Sequence, residues 1–355
     1  MSTTKLTLLV LLSITFMLTS CENDDAVNQS PLPLGDYENG ILISHEGQFS
    51  GGFGTVSYVS NDFSTIENNV FSNVNDRTLG NVAQSMAFNG DLAYIIINGS
   101  NQIEVVNRYT FESVATIDSG LNNPRYIAFA NSKGYVTNWG DGGVATDDYL
   151  AIIDLTTNTI SNQTIVVEEG PEEIIASGST IYVAHQGGFS QNNIISIVNS
   201  NTDTVSSTIN VGDVPNSLQL DSSGNLWVLA GGKPSWTGEE TGGKLSKINT
   251  IDNSIVSIDF AVTEHPNYLV AENGILYYYM SGSVYKMNST ATQLPTVTEL
   301  TGLNFYGMEI KDSVLYGVDA VDFASNGTLS AYDLNTNSLS NSTELGIIPG
   351  GIYFN

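Results

Sequence analysis

Short apolar segments alternate with polar turns along almost the whole chain beyond residue 36. Runs rich in β-branched and aromatic residues, bounded by Gly, Asn and Asp, are typical of β-strands. The same stretch shows no helical periodicity, so the pattern predicts an all-β fold. Seven of the segments share one shape, an apolar strand that leads into a loop: ILISHEG, AYIIING, GYVTNWG, IYVAHQG, LWVLAGG, LYYYMSG and LYGVDAV.

Each of these strands belongs to a larger repeat. A shorter apolar segment and a tight turn come first, and four of those segments begin with proline, at Pro124, Pro171, Pro215 and Pro266. Alternating segments such as YLAIIDLTTNTI follow and indicate two further strands. Units of four short strands that recur every 40–50 residues or so are typical of β-propeller blades. Residues 36–355 therefore predict a seven-bladed β-propeller, with about 46 residues per blade.

The two ends of the folded part complement each other. ILISHEG has the pattern of a second strand, but no first strand precedes it. The last residues, 349–355, match the first-strand pattern of PRYIAFA and then stop. We expect this C-terminal strand to join the first blade, which closes the ring and removes an exposed sheet edge.

The N-terminus has the features of an export signal. Lys5 precedes an apolar run that ends at Cys21, the sole cysteine. Leu18 to Cys21 resembles a bacterial lipobox, which implies a signal peptide over residues 1–20 and a lipid on Cys21; the alternative is an incidental cysteine at an ordinary cleavage site. Residues 21–35 predict an acidic, Pro-containing tether. It begins Glu-Asn-Asp-Asp, which resembles a surface-export tag but also fits a plain acidic linker.

Charge excludes one class of partner. The chain carries 37 acidic and 10 basic residues, a net charge of −27, so it lacks the positive charge that nucleic-acid binding requires. Hydrophobic residues make up 41% of the chain, which suffices for a core without disulfides. We interpret the acidity as surface solubility.

One segment of the repeat points to a family. Residues 135–138 read YVTN, and the chain from about residue 40 to its end resembles the YVTN-type, YncE-like surface propellers. With the lipobox, ISHEG, LGNVAQSM and PRYIA, it is similar to Bacteroidetes lipoproteins that capture vitamin B12 or ferric siderophores. The resemblance implies an outer-membrane anchor that faces the cell exterior and a TonB-dependent transporter as partner.

Propeller geometry assigns the long loops to one face. Loops between second and third strands share a face with the connections between blades, whereas the opposite face receives tight turns. We call the first of these the loop face. Its loops carry glycines, which let the backbone approach a ligand, and aromatic residues, which offer apolar area at low entropic cost. The alternative is that each aromatic ring packs onto its own loop. The aromatic candidates for ligand binding are Phe49, Phe53, Trp139, Phe189, Trp236 and Phe323.

Histidines and arginines also map to the loop face. His45, His185 and His265 suggest either a metal site or polar lining, and their spread over the ring argues against metal. Arg77 and Arg125 suit carboxylate, phosphate or carbonyl recognition, or else form internal ion pairs. We include His45, His185 and both arginines among the candidate ligand-binding residues. The loop with Asp141, Asp147 and Asp148 does not match a calcium loop, so a solvated acidic loop is the favoured interpretation.

Three functions fit these features. The first is capture of a nutrient, a corrinoid ahead of a ferric siderophore because the chain is so acidic. The second is an adhesion or protein-interaction platform. The third is a propeller enzyme such as a lactonase or lyase. The sequence disfavours an enzyme, because it has no Gly-x-Ser-x-Gly elbow, no His–Glu pair at metal-binding spacing and no cysteine nucleophile. We therefore expect a non-enzymatic binding protein without cofactor or resident metal.

Overall fold

A computed structural model describes residues 33–49 and 51–355. The predicted signal peptide, the lipid site at Cys21 and nearly all of the predicted tether lie outside this range, so those predictions stay untested. Within the described range, no helix is long and apolar enough to cross a membrane.

The described chain forms seven antiparallel sheets of four strands each, which are the blades of a propeller. The prediction of an all-β, seven-bladed propeller is confirmed. Six blades use four consecutive strands, and the first combines the C-terminal strand with the first three.

The strand bounds follow the chain order. The first blade contains β1 (Gly40–His45), β2 (Thr55–Ser60) and β3 (Ile66–Glu67). The second contains β4 (Ala83–Asn89), β5 (Leu92–Ile97), β6 (Gln102–Asn107) and β7 (Ser113–Ile117). The third contains β8 (Pro124–Ala130), β9 (Lys133–Asn138), β10 (Tyr149–Asp154) and β11 (Thr159–Val166). The fourth contains β12 (Pro171–Ser177), β13 (Thr180–His185), β14 (Ile194–Asn199) and β15 (Thr204–Asn210).

The remaining blades repeat this plan. The fifth contains β16 (Pro215–Leu220), β17 (Leu226–Ala230), β18 (Lys244–Ile248) and β19 (Ile255–Asp259). The sixth contains β20 (Asn267–Glu272), β21 (Ile275–Met280), β22 (Ser283–Asn288) and β23 (Thr298–Thr301). The seventh contains β24 (Gly307–Lys311), β25 (Val314–Asp319), β26 (Asn326–Asp333) and β27 (Ser338–Ile347), and β28 (Pro349–Phe354) returns to the first blade.

The closing strand β28 lies beside β1, as the sequence predicts. It pairs antiparallel with β1, with Ile43 opposite Ile352. The side chain of Asn355 then ties the C-terminus to its surroundings, because its Nδ2 donates to the carbonyl oxygens of Tyr37 at 2.6 Å and Arg108 at 2.8 Å. The C-terminal residues thus hold the first two blades together.

Burial explains why the second strands are the most apolar. Every residue of β1 and of β17 is buried, because a second strand is covered by a neighbouring blade on each side. The core therefore consists of clusters between adjacent blades, such as Tyr135 and Ile152 packed with Ile181 and Val183. The outer strand β15, in contrast, is almost entirely exposed.

One short helix departs from the all-strand pattern. Helix α1 (Val70–Asn75) connects the first blade to the second and buries Val70 and Phe71. Six residues are too few to produce a recognisable helical period, so the sequence gives no sign of it. Two further single turns of 3-10 helix lie at Asn98–Ser100 and Ser235–Thr237.

Candidate functional site: the loop face and the central channel

The innermost strands of the seven blades surround a central cavity of about 580 Å³. Each innermost strand begins at the loop face. In the third blade, for example, Pro124 at the start of β8 pairs with Asn138, where β9 ends and its long loop begins. The residues at this end form a ring around the channel mouth, with one member from each blade. The ring contains Gln84, Arg125, Glu172, Asn216, Asn267, Tyr306 and Gly350.

Arg125 and Glu172 form a two-pronged ion pair across the third and fourth blades. The guanidinium donates from Nε and Nη2 to the two carboxylate oxygens, both at 2.9 Å. Both side chains are largely buried, with 14% and 7% exposure. Burial alone lowers the pKa of Arg125, but the charge and hydrogen bonds of Glu172 outweigh it and raise that pKa above its usual value. The positive charge at the mouth is therefore permanent and already paired.

Trp139 forms the wall behind this ion pair. Its ring lies 4.2 Å from the guanidinium carbon of Arg125, and its Nε1 donates to the carbonyl oxygen of Pro171 at 3.0 Å. Phe189, from the next blade, packs edge-on against it with 6.4 Å between ring centroids. Three of the predicted site residues thus form one continuous contact path from the loop face to the channel mouth.

A close backbone approach between loops holds this region in shape. Gly170 has a φ of +66°, and a Cβ there would lie 2.2 Å from the backbone nitrogen of Gly188. Any other residue at 170 would push the loop that carries Phe189 away from the blade junction.

A second contact path lies at the seventh and first blades. Phe323 packs edge-on against Tyr306 at 5.2 Å, and the Tyr306 hydroxyl donates to Glu46 Oε1 at 3.1 Å. Burial raises the pKa of Glu46, although the hydrogen bond from Tyr306 opposes this. Both Glu46 and Tyr306 line the channel.

Two further carboxyl groups, on Glu173 and Glu309, lie within the channel. Burial raises the pKa of Glu173 to about 8, with added repulsion from Glu172 and Glu309. Burial also raises the pKa of Glu309 to about 7, against an opposing backbone hydrogen bond. At neutral pH the channel therefore holds exchangeable protons on these two groups.

Tyrosines supply most of the aromatic lining of the channel. Tyr126, Tyr268 and Tyr353 join Tyr306 there. The Tyr353 hydroxyl accepts a hydrogen bond from the backbone nitrogen of Met86 at 2.9 Å, which fixes the closing strand to the second blade. Burial raises the pKa of Tyr268 and that of Tyr353 to about 12, so both hydroxyls are neutral.

The predicted histidines take structural positions. His45 is fully buried and its Nε2 contacts Ser57 Oγ at 2.8 Å. His185 is also buried; its Nδ1 lies 2.8 Å from the carbonyl oxygen of Glu168 and its Nε2 lies 2.9 Å from Ser196 Oγ. Burial lowers the pKa of each to about 4, so both rings are neutral. His265 is partly exposed and lies 3.2 Å from Glu240 Oε1.

Arg77 lies away from the channel. Its Nη2 donates to Glu104 Oε1 at 2.6 Å and to Ser113 Oγ at 2.9 Å, on the outer strands of the second blade. The guanidinium also lies 4.7 Å from the centroid of the Phe71 ring. Both predicted arginines are therefore engaged in ion pairs within the protein.

The aromatic loop residues divide into two groups. Trp139 is 9% exposed and belongs to the wall described above. Phe53 also lines a second cavity of about 150 Å³ with Phe71 and Leu79, at the junction of the first two blades. Exposures from 53% to 85% are found for the other five, Phe49, Phe53, Phe189, Trp236 and Phe323.

The acidic loop of the third blade is only partly solvated. Asp141 and Asp147 are exposed, and Asp147 Oδ2 accepts from the backbone nitrogen of Asp141 at 2.9 Å. Asp148 departs from the predicted solvated loop: it is 2% exposed and accepts from the backbone nitrogen of Gly170. Burial raises its pKa to about 6. Across residues 33–49 and 51–355, no three His, Cys, Asp or Glu side chains meet as a metal site requires.

The acidic lining of the channel was not predicted from the sequence. Glu46 follows a candidate histidine, and Glu309 stands inside a short inner strand. The available signal was the segment PEEII, since two adjacent acids in an otherwise apolar inner strand demand a polar environment.

Comparisons with known proteins establish the family and the fold. The profile of a family described as "Domain of unknown function (DUF5074)" matches residues 39–339. No curated protein matches the sequence.

Solved structures resemble this chain in fold alone. A quinonprotein alcohol dehydrogenase-like protein from Bacteroides thetaiotaomicron aligns with a TM-score of 0.67 at 13% identity, over 90% of this chain and 78% of that one. A protein from Lactobacillus plantarum aligns with 0.60 at 14% identity, over 89% and 99%. The computationally designed Ika8 protein aligns with 0.58 at 9% identity, over 88% and 86%.

Proposed function

The chain belongs to the DUF5074 family, and we propose that it is a surface lipoprotein that captures a large nutrient ligand on its loop face. The favoured ligand is a corrinoid, followed by a ferric siderophore, and the captured ligand passes to a TonB-dependent outer-membrane transporter. The protein works without catalysis. The lipid on Cys21 tethers it to the outer membrane, facing the cell exterior.

The observation that carries this proposal is the set of exposed aromatic rings on one face. They come from four different blades. Phe323 packs directly on Tyr306 of the channel mouth, and Phe189 packs on Trp139, which contacts Arg125 there. Exposed apolar side chains that gather on one surface mark contact sites, whereas single ones are common anywhere on a protein. A rigid ring of blades loses little conformational freedom when a ligand binds, which favours affinity.

Charge favours a corrinoid over an anionic ferric siderophore. Within residues 33–49 and 51–355, Arg125 is the only basic residue that lines the channel, and Glu172 pairs with it. Glu46, Glu173 and Glu309 add acidity behind that pair. Arg77 is likewise paired with Glu104, so neither candidate arginine offers uncompensated charge to an anion.

Calorimetric titration of residues 34–355 with cyanocobalamin, then with ferric siderophores, tests the proposal. We expect one-to-one binding of the corrinoid. Replacing Trp236 or Phe189 by serine should weaken it by about tenfold or more, equivalent to about 1.4 kcal/mol.

Ile251 supplies a matched control. It is 93% exposed, but it lies in the turn between β18 and β19, on the opposite face. Ile251→Ser should leave binding unchanged. If the whole panel of corrinoids and siderophores fails to bind, the capture proposal is wrong and an adhesion or protein-interaction platform takes its place.

A further inference from the structure

The channel interior contains carboxyl groups that the loop-face proposal does not use. Glu173 and Glu309 are partly buried and line the cavity. Among the described residues, no side chain pairs with either carboxyl group, and Glu309 has only a backbone hydrogen bond at Ile310, whereas Arg125 pairs with Glu172 and Tyr306 with Glu46. We propose that the channel is a second binding site, which takes an organic cation between the carboxylates of Glu173 and Glu309.

The aromatic lining has the composition that organic cations prefer. Tyr126, Tyr268, Tyr306 and Tyr353 line the same cavity as the carboxyl groups of Glu173 and Glu309. Aromatic rings attract ammonium groups through their quadrupole, and a quaternary ammonium group suits such a cage because it needs no hydrogen-bond acceptors. The carboxylates of Glu173 and Glu309 supply the negative charge that balances the ammonium group.

Size distinguishes an organic cation from a metal ion. No three acidic or histidine side chains within the described ranges converge to the spacing of metal ligands. The cavity of about 580 Å³ is far larger than a bare ion needs and accommodates a small organic molecule. An organic cation that fills part of this cavity therefore fits better than a metal ion coordinated by these side chains.

Protonation couples to this binding. Burial raises the pKa of Glu173 to about 8 and that of Glu309 to about 7, so these carboxyl groups are at least partly protonated near neutral pH. A bound cation stabilises the carboxylate forms and drives those protons into solvent. The other ionisable groups that face the channel are Arg125, Glu46, Glu172 and the four tyrosines. Of these, Arg125 stays charged and the tyrosines stay neutral at neutral pH, so affinity for the cation should rise with pH.

Choline is a suitable probe because its charge does not titrate. We expect residues 34–355 to bind choline about tenfold more tightly near pH 9 than near pH 6. Near neutral pH, the observed binding enthalpy should vary with the ionisation enthalpy of the buffer, because binding releases protons. The uncharged carbon isostere of choline should give no binding. The double variant Glu173→Gln/Glu309→Gln should lose about tenfold or more in affinity near pH 9, while Glu112→Gln, which removes an exposed acid on the second blade, should not.

Three results would overturn the proposal: no binding of choline near pH 9, equal binding of the uncharged isostere, or unchanged affinity in the double variant. Glutamine matches the neutral form of each glutamic acid, so the double variant should fold; its thermal transition checks this. The outcome is separable from the loop-face proposal. Corrinoid binding without choline binding rejects the channel site alone, and the converse rejects nutrient capture alone.

Discussion

Arg125 donates two hydrogen bonds to Glu172 across the boundary between the third and fourth blades. The pair is buried at the channel mouth beneath Trp139, where water cannot compensate a lone charge. Arg125→Met leaves Glu172 without its partner, so we expect a loss of about 3–5 kcal/mol in the free energy of unfolding. Chemical denaturation measures it.

A double-mutant cycle gives the control for this pair. Adding Glu172→Gln to Arg125→Met removes the orphaned charge and should recover most of the lost stability. If the double variant is as unstable as the two single effects summed, the ion pair contributes no coupling and our interpretation fails.

The buried acid Glu173 makes stability depend on pH in the opposite sense to an ordinary surface carboxylate. Its pKa rises from 4.5 to about 8 on folding, so the folded protein holds a proton that the unfolded chain releases. Wild-type stability should therefore fall between about pH 4.5 and 8, by roughly 1.4 kcal/mol per pH unit from this group. Glu173→Gln removes that slope, so its stability relative to wild type should increase with pH.

Urea denaturation of both proteins near pH 5 and near pH 8 provides the measurement. Glu112→Gln, at an exposed site on the second blade, serves as the comparison and should track wild type. A constant difference between wild type and Glu173→Gln at both pH values would contradict the assignment.

His185 should make the propeller sensitive to acid. Its pKa falls from 6.5 to about 4 on folding because the ring is buried. Between these pH values the unfolded chain therefore carries a proton on this histidine and the folded protein does not. Stability from the neutral ring is intact above pH 6.5 and is lost as the pH falls toward 4. His185→Gln removes this effect.

We expect His185→Gln to cost about 1–3 kcal/mol near pH 7, since the hydrogen bonds to Glu168 and Ser196 are disturbed. The deficit should shrink near pH 4.5, because only wild type loses stability to protonation of the unfolded histidine. Equal deficits at both pH values in guanidinium denaturation would refute this.

Closure of the ring by β28 gives a prediction about connectivity. Deleting residues 349–355 exposes the edge of β1, and we expect aggregation and loss of the cooperative thermal transition. The backbone nitrogen of Asn355 donates to the carbonyl oxygen of Gly40 at 2.8 Å, so a short turn can join these two residues.

A circular permutant tests whether the strand or the terminus matters. Moving residues 349–355 ahead of Gly40, with a short Gly-containing turn, builds the first blade as a continuous meander like the other six. It should fold with a transition temperature close to that of wild type. A permutant that fails to fold would show that closure by separate chain ends is itself required.

Much of the fold can be read from the residues alone. Prolines and turns at regular intervals set the blade count, because a four-stranded sheet cannot bury both faces without neighbours on each side. The sequence has a second strand at Ile41 without a first strand before it, and a first strand at Pro349 without a second strand after it. This predicts that the two strands pair, as they do in the first blade. The short helix α1 was not predicted, because six residues are too few to show helical periodicity.

The candidate site was predictable only in outline. Sequence placed Arg125, Trp139 and Phe189 on one face, because strand direction alternates regularly in a blade. Local pattern determines which residues share a face, and the chain thus specified the blades, the ring and the loop face by itself. The burial of Trp139, the neutral histidines and the proton-holding acids Glu173 and Glu309 depended on tertiary structure, since desolvation and charge pairing arise between residues that only the closed ring brings together.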